Sequence, residues 1–264
     1  MAIKVETADK VVTLATAGKF CEENIQVEFT GAGGGEEEKD LFNELVGRTI
    51  VDAPLSSEVT RIEKYTFYKC PNLKTVDASY VTYIDEYAFY NCSALENIVL
   101  SENLTNIMGN VFYGCALLNL SKLPDSLTTL QSSALRGCKN ITLSELPNNL
   151  TFIQDSCFYG CEKITVSKLP PAIKNIGSYG FRDCKSIITM EFPESTLNVY
   201  SQSFRNCTGL TSVTFKGKPT SIAKDVFQNC TNLKTLNLPF AEGAVSGAPW
   251  GATEATLNYN YTGE

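Results

Sequence analysis

The sequence predicts a repeat solenoid of the α/β type, rich in β structure, and three observations predict it. Cysteines stand at 70, 92, 115, 138, 161, 184, 207 and 230, the first gap being 22 residues and the other six 23. Apolar residues recur at fixed offsets from each of these cysteines. The stretch after the cysteine alternates apolar and polar, as in Leu233-Lys-Thr-Leu236-Asn-Leu238, which is the pattern of a short strand. A period of about 20–29 residues with Leu or Ile at set places marks a stack of similar turns.

In chain order, residues 1–30 alternate in the pieces Ile3-Lys-Val5, Val11-Val-Thr-Leu14 and Ile25-Gln-Val27-Glu-Phe29. They predict a small β module with too little core of its own, one that pairs with another chain or with a neighbouring segment. Residues 31–38 form a Gly/Glu linker, Gly31-Ala-Gly-Gly-Gly35 and then three glutamates. Residues 39–60 read as an N-terminal helical cap. Leu41, Phe42 and Leu45 lie at helical spacing, Gly47 ends the helix, and a degenerate strand follows near Thr49-Ile-Val51.

Residues 61–240 hold eight repeats. Three places before each cysteine stand Phe67, Phe89, Phe112, Leu135, Phe158, Phe181, Phe204 and Phe227. Eight before it stand Ile62, Ile84, Ile107, Leu130, Ile153, Ile176, Val199 and Ile222. Leu or Ile follows three places after, and an apolar residue eight after, often with a proline behind it that ends the strand. One repeat cannot bury such a set alone, but stacking like on like makes a continuous core. Repeats three to five hold their middle apolar residue one place early, at Leu120, Leu143 and Val166, which predicts a local change of strand geometry without a broken coil. After Pro239 the period fails, and residues 241–264 read as a C-terminal cap. Trp250, the only tryptophan, either lids the last coil or offers an aromatic contact to a partner.

The motif Ile-x-x-x-x-Phe-x-x-Cys-x-x-Leu-x-x-Leu-x-Leu-Pro, as it stands from Ile222 to Pro239, resembles the BspA-type leucine-rich repeat. The resemblance covers about two thirds of the chain and implies a curved solenoid with a parallel sheet, used for adhesion or recognition. Leu135 in place of Phe, Ala78 in place of Leu, and Lys216-Gly-Lys-Pro219 in place of the simple proline exit depart from it. The ends carry a second likeness. Val12-Thr-Leu-Ala-Thr-Ala-Gly-Lys-Phe-Cys-Glu-Glu-Asn-Ile-Gln-Val27 and Ala248-Pro-Trp-Gly-Ala-Thr-Glu-Ala-Thr-Leu-Asn-Tyr259 resemble terminal segments of tail-associated proteins from phages and prophages of Gram-positive gut bacteria. That likeness implies a virion protein made in the bacterial cytoplasm.

A formal net charge of −7 makes nucleic acid and anionic membranes poor partners, and no apolar run is long enough for membrane insertion. Met1-Ala-Ile-Lys-Val-Glu lacks the apolar core of a signal peptide. The cysteine column predicts small buried apolar thiols, because cysteines stacked with parallel Cα–Cβ bonds cannot bridge. The count of His is 0, which removes histidine-based nucleophile pairs and metal sites, and no phosphate-binding glycine motif occurs. The expectation is a protein that is not an enzyme, with no cofactor and no metal. Eight Asn-x-Ser/Thr triplets follow from turn composition and predict no glycan in a bacterial setting.

The candidate ligand-binding residues are Tyr68, Tyr90, Tyr113, Arg136, Tyr159, Arg182 and Arg205, each two places before a cysteine and so expected to face outward beside the buried Phe. Tyr and Arg are the side chains that dominate binding hot spots, although the column can also serve only to shield the core. Tyr65 and Tyr87 extend its aromatic surface. A second candidate is the outward strand face, with Thr75, Asp77, Asn97, Thr189, Glu191, Ser212, Thr214, Thr235 and Asn237. The expected partners are a bacterial surface polysaccharide or protein, and other virion tail proteins through residues 1–30, with homo-oligomerisation left open. The expected place is the virion tail. A bacterial cell-surface adhesin and an intracellular protein-interaction scaffold are the alternatives.

Overall fold

The computed structural model describes residues 3–7, 10–14, 52–55 and 57–263, and among these there is no helix. Strands β1 (Ile3–Thr7) and β2 (Lys10–Leu14) pair antiparallel, Ile3 opposite Leu14. The expected third strand at Ile25–Phe29, the cap helix and the strand near Thr49 to Val51 lie outside the described residues. The solenoid is an alternation of short strands and turns: β3 (Asp52–Pro54), β4 (Arg61–Ile62), β5 (Thr75–Ala78), β6 (Tyr83–Ile84), β7 (Asn97–Leu100), β8 (Asn106–Ile107), β9 (Thr129–Leu130), β10 (Phe152–Ile153), β11 (Asn175–Ile176), β12 (Thr189–Phe192), β13 (Asn198–Val199), β14 (Ser212–Phe215), β15 (Ser221–Ile222), β16 (Thr235–Leu238) and β17 (Thr256–Tyr259).

The repeats stack in parallel and in register. The strands after the cysteines, joined by β3 ahead of the first repeat and β17 behind the last, form the sheets β3-β5-β7 and β12-β14-β16-β17, and the Ile column forms β4-β6-β8-β9 and β10-β11-β13-β15. Coils three to five have no strand after the cysteine, where the sequence predicts changed geometry. The reason is parity. Leu120 and Leu123 are both buried, yet they are three residues apart, and successive strand residues face opposite sides, so no strand can bury both. The same holds for Leu143 with Leu146 and for Val166 with Leu169. Single hydrogen bonds from Thr142 N to Leu120 O and from Thr165 N to Leu143 O, both 2.9 Å, keep these coils in step.

A third ladder runs without interruption on the turn side. In the first six coils the amides one, three and five places before the cysteine donate to the next coil, for example Gly137 N to Tyr159 O at 2.8 Å and Leu135 N to Cys157 O at 3.0 Å, and Phe204 N, Asn206 N and Phe227 N carry the ladder on to the C-terminal end. Residues one place before the cysteine have positive φ throughout, from Lys69 at 54° to Gly137 at 78°. Five places before it, Tyr65, Tyr87, Asn110, Ser133, Ser156, Tyr179 and Gln202 do the same. These left-handed residues aim every second amide along the solenoid axis. The cost of holding Tyr there is offset by the inter-coil bonds it permits.

One continuous core fills the interior, and the phenylalanine, cysteine and isoleucine columns are all buried in it. Leu100 departs from its column and is only partly buried. The described cysteines form no disulfide, and from Cys92 to Cys230 the column makes a ladder of its own, each Sγ donating to the carbonyl three places before the cysteine one coil back, such as Cys92 to Phe67 O at 2.9 Å and Cys207 to Phe181 O at 3.1 Å. At the C-terminal end β17 adds to β16, and Trp250 is fully buried. Phe227 N donates to Trp250 O at 2.9 Å, so Trp250 holds the place that Val226 holds one coil earlier. No helix of the described residues is long and apolar enough to cross a membrane.

Candidate functional site

The Tyr/Arg column sits on the turn ladder, which fixes its spacing. The carbonyls of Tyr90, Tyr113, Arg136, Tyr159, Arg182 and Arg205 each accept an amide from the preceding coil, at 2.7 to 2.9 Å. The column lies flatter than expected. Tyr68 is only 9% exposed and the other six are half-buried, because each side chain leans along the axis onto its neighbour. The rings of Tyr68 and Tyr90 stack at 5.2 Å and those of Tyr90 and Tyr113 at 4.7 Å. Arg136 lies 5.3 Å from the Tyr113 ring and 4.5 Å from that of Tyr159, and Arg182 covers the other face of Tyr159 at 5.2 Å. Gln202 Oε1 then accepts from Arg182 Nη1 at 3.3 Å and from Arg205 Nη1 at 2.9 Å. All seven side chains are thereby brought into one line.

This packing spends the ring faces on one another, which is the geometry such pairs prefer. What the column presents outward is a row of phenol edges and guanidinium N–H groups. Burial, together with the neighbouring Tyr113 and Tyr68, pushes the Tyr90 phenol up from its ordinary value, so it stays a neutral donor at physiological pH. Tyr65 and Tyr87 stack beside the column at 5.1 Å, with Lys64 over both rings. Glu86, bonded to the ammonium, holds the Lys64 pKa up.

At coils three to five the column borders a cleft of about 430 Å³ whose lining includes Tyr113, Arg136, Tyr159, Gly114, Gly137 and Gly160. The glycines occupy the left-handed place that Asn91, Asp183, Asn206 and Asn229 fill elsewhere. Those other side chains run along the axis, Asn206 Nδ2 bonding Asp183 Oδ1 at 2.7 Å and Asn229 Nδ2 bonding Asn206 Oδ1 at 3.0 Å. With no side chain in three successive coils, bare backbone becomes the floor. Lys139, Glu162, Asp183 and Lys185 complete the lining, Glu162 lying 3.1 Å from Lys185 Nζ and 4.0 Å from Lys139 Nζ. The cleft thus offers donors and acceptors of both charges around an uncharged floor. Sequence reasoning passed over these glycines and the lysine–glutamate group. Glycine one place before three consecutive cysteines was the signal available.

The strand-face candidate is divided by coils three to five. In its C-terminal half the asparagines bond along the axis, Asn237 Nδ2 to Thr214 Oγ1 at 3.1 Å and Asn258 Nδ2 to Asn237 Oδ1 at 2.9 Å. Among the described residues no cluster of three or more His, Cys, Asp or Glu is arranged to hold a metal ion. Burial pushes the Cys70 thiol up to about 12 and holds those of Cys92 and Cys115 well above their ordinary value, so they are not nucleophiles at neutral pH.

Comparison with known proteins gives the architecture a lineage. A leucine-rich repeat protein from Bacteroides ovatus superposes with a TM-score of 0.50 at 19% identity, covering 98% of this chain and 74% of that one. A leucine-rich repeat protein from T. pallidum gives 0.45 at 24% identity over 69% and 78%, and a leucine-rich cell surface protein from Faecalibacterium prausnitzii gives 0.42 at 19% over 85% and 82%. A search of curated proteins finds no match. The family described as the BspA type leucine rich repeat region matches residues 40–142 and 136–244, in 6 copies. The match spans most of the length, and the chain belongs to the BspA-type leucine-rich repeat family.

Proposed function

We propose that this protein is a non-catalytic recognition protein that binds a polysaccharide of the bacterial surface in the glycine-floored cleft beside its Tyr/Arg ladder. The observation that carries this reading is the cleft itself, where a bare backbone floor meets phenol, guanidinium, ammonium and carboxylate groups within about 430 Å³. A ligand rich in hydroxyl groups needs both donors and acceptors held in fixed places, and a rigid ladder supplies them without ordering cost. The terminal segments that resemble phage and prophage tail-associated proteins favour carriage on a tail, with residues 1–30 attaching to other virion proteins. Several copies on one particle would sum weak contacts into useful avidity. Membership of the BspA-type family supports the second reading, a bacterial cell-surface adhesin using the same cleft.

Gly137→Asn tests the site. An added Cβ at Gly137 meets nothing closer than 3.6 Å, and asparagine already occupies the equivalent left-handed places at Asn91, Asn206 and Asn229. The variant is therefore expected to fold normally while its side chain fills the floor. Binding to purified cell-wall polysaccharide, measured by surface plasmon resonance, should fall at least about tenfold, the equivalent of 1.4 kcal/mol. Binding unchanged by the substitution would remove the cleft as the site. Immunogold labelling of induced particles and of whole cells separates the tail from the cell surface.

A further inference from the structure

We propose that the groove along the outer corner of coils three to six is a self-association surface, whose occupant is a second, antiparallel copy of this chain. The groove, about 1150 Å³, opens where the chain leaves the former strand positions. Leu123, Leu146 and Leu169, all buried, and the prolines that follow them form its floor. One wall is the column seven places after the cysteine. In successive coils it reads Lys122, Glu145, Lys168, Glu191, an alternation of positive and negative charge.

That order is its own complement when reversed. A two-fold axis passing between coils four and five sets Lys122 against Glu191 of the second copy and Glu145 against its Lys168, and the symmetry repeats both pairs. A two-fold interface must be self-complementary in this way. Parallel, unshifted pairing would instead set like on like at every coil. Within the chain the outer members have partners, Lys122 Nζ lying 3.0 Å from Asp125 Oδ2 and Glu191 Oε2 lying 3.2 Å from Lys216 Nζ. The central members, Glu145 and Lys168, make no ion pair among the described residues. They are the two that flank the axis. Four coils span roughly 19 Å at about 4.8 Å each, so the contact is small and the dimer weak. Its charge pairs are exposed and therefore sensitive to salt.

Sedimentation equilibrium of the full chain over a range of concentrations tests this, at roughly 20 mM and 500 mM salt, where the Debye length is about 20 Å and 4 Å. The wild-type chain is expected to dimerise at low salt and to dissociate at high salt. Lys168→Glu places two glutamates against each other across the axis, Glu145→Lys places two lysines, and each single variant should stay monomeric. An equimolar mixture of the two variants restores every opposite pair and should form the heterodimer, and the double variant should dimerise like the wild type. A wild type that stays monomeric at low salt overturns the proposal and leaves the groove to some other occupant. Single variants that dimerise like the wild type, or a mixture that stays monomeric, assign association to another surface and overturn it equally.

Discussion

The thiol ladder shows what a single residue type contributes to this fold. Cysteine is small enough for a column packed under the phenylalanines, and its weak S–H donor reaches the carbonyl of the coil behind, which alanine could not do. The price of this placement is a coupling of stability to alkaline pH. Burial raises the Cys70 pKa from 9.0 to about 12 and pushes the fully buried thiols well above their ordinary value. A group raised on folding stabilises fully below its unfolded pKa and loses that contribution as pH climbs toward the folded value. Urea-unfolding free energy is therefore expected to be flat up to about pH 8 and to decline progressively between about pH 9 and 12. A free energy at pH 10.5 equal to that at pH 7 would contradict the buried, neutral thiols.

Among elements, coils three to five stand apart. Their apolar residues at the third, fifth and eighth places after the cysteine cannot share one strand face, and the sheet lapses there. The Ile-column ladder also breaks between β9 and β10, so the turn-side ladder and the single bond from Thr165 N to Leu143 O carry the backbone pairing across that step. Amides at 121–123 and 144–146 donate no backbone hydrogen bond among the described residues, whereas β14 is paired on both sides. Hydrogen exchange should accordingly be faster by about tenfold or more at 121–123 and 144–146 than at Val213 to Phe215. Equal protection would mean that these segments pair as strands after all. The same three coils carry the glycine floor of the cleft and three of the four charges of the groove, so both proposed surfaces centre where the repeat departs most from its own rule.

For the whole molecule, a stack of coils in contact only with neighbours gains stability step by step, and its ends are the weak points. The last coil is closed by Trp250, whose Nε1 donates to Ser246 O at 2.8 Å and whose carbonyl continues the turn ladder. Trp250→Ala should cost about 3–5 kcal/mol as a large-to-small change in the core. The loss should be local, so that limited proteolysis after the substitution begins within the last two coils. Cleavage appearing first near Arg61 to Leu73 would show that the array unfolds as one unit.

The amino-acid sequence by itself determined the period, the identity of each buried column and the irregularity of coils three to five. Each of these follows from side-chain size and spacing, which a one-dimensional repeat converts directly into position. Tertiary structure alone decided how the outward residues meet. The left-handed turns at Tyr65, Tyr87 and Tyr179 defy local preference and hold only because the next coil's carbonyls reward them. The laying of tyrosine faces on their neighbours, the bare glycine floor and the row of alternating charge come from contacts about 23 residues apart in the chain, and only stacking brings them within reach.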